Sequence, residues 1–199
     1  YEMFNKKNVE LVDLKESPIV KITKRGIKTN KGEYILDKII FATGFDALTG
    51  SILKLNITGK KGVNLSKFWS KGPKSFLGLL VPNFPNLFIV SGPGSPSVLT
   101  NVPVQIEQHV NWITNCIKYL EKNRKKSIET TNLAAKKWQK EIMNSVKKTL
   151  FMKAKSSWYK GDNIPGKPKT FLPYPGGMPK YKNECIKVEK NKYKELKIS

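Results

Sequence analysis

NLFIVSGPGSPSVLTNVPV, residues 86–104, begins as an apolar strand and passes through a loop too rich in glycine and proline for regular structure. It then starts a helix, which Thr100 or Asn101 can cap and whose first turn tolerates Pro103. The first N–H groups of a helix lack internal partners and sit at the positive end of its dipole, so such a start suits an anion. Strand–loop–helix by itself is common. A second run, IIFATGFDALTG at 39–50, strengthens it: the apolar stretch Lys38–Ala42 reads as a strand buried on both faces, hence parallel, and ends in the small pair Thr43–Gly44. Two parallel strands ending in small residues point to one crevice at the carboxyl edge of a sheet. Tight packing without any ligand explains the same pattern equally well.

Ahead of this pair, residues 8–14 alternate like a strand, and 19–23, 27–29 and 33–35, separated by the turns Lys24–Arg25–Gly26 and Asn30–Lys31–Gly32, continue as an antiparallel meander. Residues 47–85 read as irregular around one apolar patch, Phe76–Leu80. In the helix after residue 101, Ile106, Val110, Ile113, Ile117 and Leu120 form the apolar stripe, and a second helix is expected from about Glu129 to Leu150 with Ala134, Trp138, Ile142, Val146 and Leu150 inward. Residues 155–180, with five prolines and four glycines, predict a long loop, and Lys187–Ser199 a frayed helix or a disordered tail.

The 199 residues allow one domain or two small ones, with the apolar content of a globular chain. No stretch approaches the roughly 20 apolar residues of a membrane span, and no secretory signal is legible at the start. Cys116 and Cys185 have no partners at metal-ligand spacing and read as reduced thiols of a cytoplasmic protein; no metal site is expected. The charge of +22, from 37 basic and 15 acidic residues, raises nucleic acid or an anionic membrane as partners. Only Arg25 and Arg124 are arginines, and the lysines are scattered, which favours a solvated surface and neither partner. His109, the only histidine, reads as half-buried and structural, with no Ser–His–acid triad around it. The Asn56 and Asn64 sequons read as chance, and Trp158–Tyr159 as an anchor for its loop.

Four ordered segments, FATGFDALTG (41–50), PNLFIVSGPGSPSVLTNV (85–102), IEQHVNWI (106–113) and SSWYKGDNIPGKP (156–168), resemble the C-terminal part of Baeyer–Villiger monooxygenases of the phenylacetone and cyclohexanone type. The likeness runs from Tyr1 to about Tyr181. It implies an α/β fold: a partial FAD/NADP-binding, Rossmann-like domain with a small antiparallel meander, C-terminal helices and a long Pro/Gly loop. Residues 1–50 would end the nucleotide-binding domains, 51–122 would complete the FAD domain with its flavin-facing helix, and 123–199 would add a helix, the mobile loop and a basic tail. The activity implied is NADPH- and FAD-dependent oxidation of a ketone by O2 to an ester or lactone through a peroxyflavin. Thr43, Gly44 and, more weakly, Asp46 would approach the nucleotides. Gly92, Pro93, Asn101, Val102 and Pro103 would face the flavin, where a helix start stabilises the negative charge of the reduced ring. Ser97, Val98 and Leu99 would border the ketone, and Trp158 would contact NADP, displacing the anchoring reading.

The family's two Gly-rich fingerprints and the signature between them are not in these residues, and its catalytic arginine is expected upstream of Tyr1; neither Arg25 nor Arg124 matches it. The chain therefore carries no catalytic residue of its own in this reading. It is expected to be inactive alone, as a fragment or one piece of a split gene whose N-terminal FAD/NADP-binding part is the missing partner. An N-oxygenating flavin monooxygenase, a basic binding module and a non-catalytic remnant are the alternatives.

Overall fold

The computed structural model describes residues 1–154 and 157–199, in two compact units, Tyr1–Gly44 and Phe45–Ser199. In the first unit, β1 (Ile19–Ile22), β2 (Gly26–Thr29) and β3 (Glu33–Ile35) form an antiparallel sheet in the order β1-β2-β3, with Ile27 opposite both Ile22 and Tyr34. This is the expected meander. Its first turn requires glycine: Gly26 has φ 153°, and a Cβ there would lie 1.9 Å from the Tyr34 carbonyl oxygen. Ser17 Oγ donates to Thr29 Oγ1 at 2.9 Å and closes the open side of the ribbon.

Two expected strands are absent from this unit. Residues 8–14 make no ladder, and the stretch 38–42 is neither strand nor buried: Ile40 is 91% and Phe41 68% exposed. Apolarity alone does not make a strand. A strand needs at least one hydrogen-bonding neighbour, and among the described residues none pairs with 38–42.

The second unit opens with two single-turn helices, α1 (Gly50–Leu53) and α2 (Leu65–Phe68), in the region expected to be irregular. Asn64 caps α2 by accepting the N–H of Ser66. Leu65, Trp69, Val81, Phe84 and Ile89 make a small core there. Residues 86–90, expected as a second parallel strand, form only an isolated antiparallel bridge, Leu80 with Phe88, because their neighbour is the apolar Phe76–Leu80 turn and not a sheet.

Three long helices build the main core: α3 (Val102–Lys122), α4 (Asn132–Val146) and α5 (Met178–Lys190). Asn101 caps α3 and Thr131 caps α4. The start of α4 falls three residues later than expected because Ile128–Thr130 form β4, paired antiparallel with β5 (Leu196–Ile198). The tail is therefore ordered, and α5, which the Pro/Gly-rich reading of 155–180 obscured, buries Tyr181, Cys185 and Val188. The inward stripe of α4 is as expected up to Val146, while Leu150 lies beyond the helix and is 76% exposed.

The stripe of α3 is not. Its buried face is Gln105, His109, Trp112, Cys116 and Leu120, whereas Ile106, Val110 and Ile117 are 39%, 47% and 42% exposed. The face is turned by one residue because polar side chains find fixed partners inside. No helix among the described residues is long and apolar enough to cross a membrane.

Candidate functional site

The loop Ser91–Leu99 and the front of α3 form one construction, held from beneath at Ser91 to Ser95. Ser91 has φ +56°, a left-handed conformation unfavourable for serine. Two side chains of α3 hold it: its N–H donates to His109 Nδ1 at 3.0 Å, and its Oγ accepts from Gln105 Nε2 at 3.1 Å. Gln105 Nε2 also donates to Ser95 Oγ at 3.1 Å, and that hydroxyl donates to the Gly92 carbonyl at 2.7 Å. Ser75 Oγ donates to the Pro93 carbonyl, Trp138 Nε1 to that of Gly94 at 2.9 Å, and Tyr174 N–H to that of Ser95 at 2.7 Å. Gly94 N–H donates to Leu172 at 2.6 Å, so the long Pro/Gly loop is itself stitched to this platform.

The glycines serve the interior. A Cβ on Gly92 would meet the Gly78 carbonyl oxygen at 2.5 Å, and one on Gly94 would meet Ser75 Oγ at 2.7 Å. Gly92, Pro93 and Ser97 are buried, so what the loop presents outward is Val98, Leu99 and the helix start. Asn101 and Pro103 are exposed and Val102 is half-buried. Asn101 Oδ1 accepts the Val104 N–H at 3.3 Å, leaving a capped but unsealed positive pole on a 21-residue helix.

Beneath the platform, His109 is fully buried rather than half-buried. Burial lowers its pKa from the ordinary 6.5 to about 4. Tyr181 of α5 lies against its other face: its hydroxyl is 2.8 Å from His109 Nε2 and donates to the Leu77 carbonyl at 2.6 Å.

Thr43 and Gly44 are exposed at the end of the first unit, and a Cβ on Gly44 would meet nothing within 4 Å. Asp46 is paired with Lys167, whose ammonium also donates to the Ala47 carbonyl at 3.1 Å, tying residues 46–47 to the Pro/Gly loop. Trp158 is half-buried and stacked on Tyr159, with ring centroids 4.1 Å apart. It is Tyr159 that packs on Phe151 and Phe171 and anchors this segment. Sequence reasoning named the loop and the helix start but missed their supports, Gln105, Ser95 and Tyr181. A Gln and a His four apart, directly after a Gly/Pro loop, were the available signal.

No family model matches the chain. It is 41% identical over all 199 residues to a cyclohexanone 1,2-monooxygenase from an Acinetobacter species, covering 36% of that protein, and 39% identical over 189 residues to a phenazine N-monooxygenase from Lysobacter antibioticus, covering 34% of it. Among solved structures, it superposes over its whole length on a closed cyclohexanone monooxygenase with TM-score 0.93 at 39% identity, covering 37% of that chain. An OTEMO complex with FAD and NADP gives TM-score 0.91 at 36% identity, with 36% of that chain covered. The chain thus spans about a third of the length of the proteins it matches.

Proposed function

From the premise that this chain belongs with the Baeyer–Villiger monooxygenases and spans about a third of their length, we propose that it is the C-terminal portion of an NADPH- and FAD-dependent enzyme that oxidises a ketone with O2 to an ester or lactone. Bound FAD would supply the oxygen-transfer chemistry. The residues described here would hold and shape its surroundings. The open front of α3 at Asn101–Pro103 would stabilise negative charge on the pyrimidine rim of the reduced ring, with Gly92 and Pro93 setting the bend below it. Val98 and Leu99 would border the ketone with the buried Ser97 behind them, Thr43, Gly44 and Asp46 the nucleotides, and Trp158 the NADP. In this division residues 1–50 end the nucleotide-binding part, 51–122 carry the flavin-facing helix, and 123–199 brace it. Cys116 and Cys185, both free and buried, suit a reducing cytoplasm.

The observation that carries the reading is the helix front itself: the loop before it is pinned from inside by six side chains and backbone groups, yet Asn101 and Pro103 face outward. An outward-facing start of a long helix leaves room for an anionic group in front of it.

The phosphate-cradling loops would come from the missing N-terminal part, so the chain alone is expected neither to bind FAD tightly nor to turn over. Absorbance titration of the 199-residue protein with FAD tests this, and a stoichiometric yellow complex refutes the limit. Adding the nucleotide-binding part of a related cyclohexanone monooxygenase is expected to produce the flavoprotein and ketone-dependent NADPH oxidation. The likeness to a phenazine N-monooxygenase supports a second reading, N-oxygenation. Supplying the same complex with a ketone and with an aromatic N-heterocycle, and identifying the product, separates the two.

A further inference from the structure

The polar groups beneath the loop form one directed chain that runs through α3 and α5. Ser91 N–H donates to His109 Nδ1, so that nitrogen carries no proton, and the neutral ring must carry its proton on Nε2. The Nε2–H then donates to the Tyr181 hydroxyl, whose own O–H donates to the Leu77 carbonyl. Each group has one role that its neighbour fixes, and beyond the half-buried Ser91 the chain is shut off from solvent: Tyr181 and His109 are 0% exposed and Leu77 1%.

We propose that His109 and Gln105 are positioning residues for the Ser91–Ser95 loop, and that Tyr181 on α5 sets the tautomer through which His109 does so. The inference rests on the reading above for what the loop faces, but the chain of donors stands on geometry alone. Ser91 is the point where it matters, since a left-handed serine persists only when its surroundings fix it. His109 holds its backbone and Gln105 its hydroxyl, while Gln105 binds Ser95 in the same grip. The loop that sets the approach of α3 to a flavin would then take its shape from the C-terminal helix. The depressed basicity of the buried His109 agrees, since a charged ring would turn Nδ1 into a second donor facing the Ser91 N–H.

The chain has one histidine, so every imidazole signal in a 1H–15N correlation spectrum of the 199-residue protein belongs to His109. At pH 6 the expected pattern is a neutral ring with a bare Nδ1 and Nε2–H. Tyr181→Phe is expected to shift the Nε2 signal and the Ser91 amide. Val188→Ala, which loosens the same helix without touching the ring, is expected to leave both unmoved. His109→Gln, whose carbonyl can take the Ser91 N–H, should retain the Ser91 and Ser95 amide positions that His109→Leu displaces. A proton on Nδ1, a charged ring at pH 6, or a Ser91 amide indifferent to Tyr181→Phe overturns the proposal, and the wild-type spectrum decides even if a variant does not fold. In the reconstituted flavoprotein, Tyr181→Phe is expected to shift the visible flavin band. A parent complex that takes up no flavin refutes the flavin-facing reading and leaves the imidazole result to be judged by itself.

Discussion

Ile106 and His109 show what a single helix position decides. From sequence, an isoleucine belongs inside and a lone histidine half outside; here the histidine is buried and the isoleucine exposed. The cost of burying imidazole is offset because Ser91 N–H and the Tyr181 hydroxyl satisfy both ring nitrogens. Those partners lie 18 and 72 residues away, so no local pattern announces them. The arrangement makes stability depend on pH. The folded pKa of about 4 lies below the ordinary 6.5, so the unfolded chain takes up a proton first as pH falls. This contribution is fully present above pH 6.5 and is lost progressively between 6.5 and 4, amounting to about 3 kcal/mol. Urea unfolding at pH 7 and pH 4.5 is expected to show the loss, and His109→Gln to flatten it over that interval. An equal slope in the variant would assign it elsewhere. Trp138→Phe removes the donor to the Gly94 carbonyl and should cost about 1–3 kcal/mol by the same measurement.

At the scale of elements, caps were legible and partners were not. Asn101 followed by Pro103 marks the start of α3 in any context, because a side-chain oxygen at the cap and a proline in the first turn both complement unpaired helix ends. Asn101→Ala should therefore destabilise the chain by about 1 kcal/mol in chemical denaturation. The end of the chain was misread for the opposite reason. Its Lys and Glu residues suggest a frayed helix or disorder, and the helix does run to Lys190, but beyond it Tyr193 and Leu196 are 3% and 8% exposed, β5 pairs with β4, and Lys126 and Ser127 N–H groups donate to the Ser199 carbonyl. Three residues of strand contribute little alone, and their stability comes from what they cover. Truncation after Asn191 uncovers that edge and is expected to cost at least about 3 kcal/mol, read as a fall in Tm. An unchanged melting curve would mean that β5 is dispensable.

At the scale of the whole chain, the apolar surface is the unusual feature. In the first unit Ile40 and Phe41 are 91% and 68% exposed; in the second Phe45 is 87% exposed and, separately, α3 carries Ile106, Val110 and Ile117 in a row along one face. Dispersed apolar residues are ordinary on a protein surface, but contiguous faces usually meet something. The chain covers 36% of a related monooxygenase, and under the function proposed above the nucleotide-binding part of such an enzyme would meet these side chains. The isolated chain is expected to enhance the fluorescence of an apolar dye such as ANS, and the complementing nucleotide-binding part to suppress that signal when added in stoichiometric amount. Suppression by an unrelated protein of similar charge would remove the specificity from this argument.

Local chemistry therefore settled the start of α3, the glycine-turned meander and the inward stripe of α4 up to Val146, since caps, turns and periodicity act over a few residues. Tertiary structure alone decided which face of α3 is buried, that 38–42 and 86–90 are not sheet strands, and that Gly92 is small for the sake of Gly78. These outcomes depend on groups brought together from distant parts of the chain. A strand without a neighbour has no partners for its backbone, and a buried polar side chain is stable only where a distant group completes its hydrogen bonds.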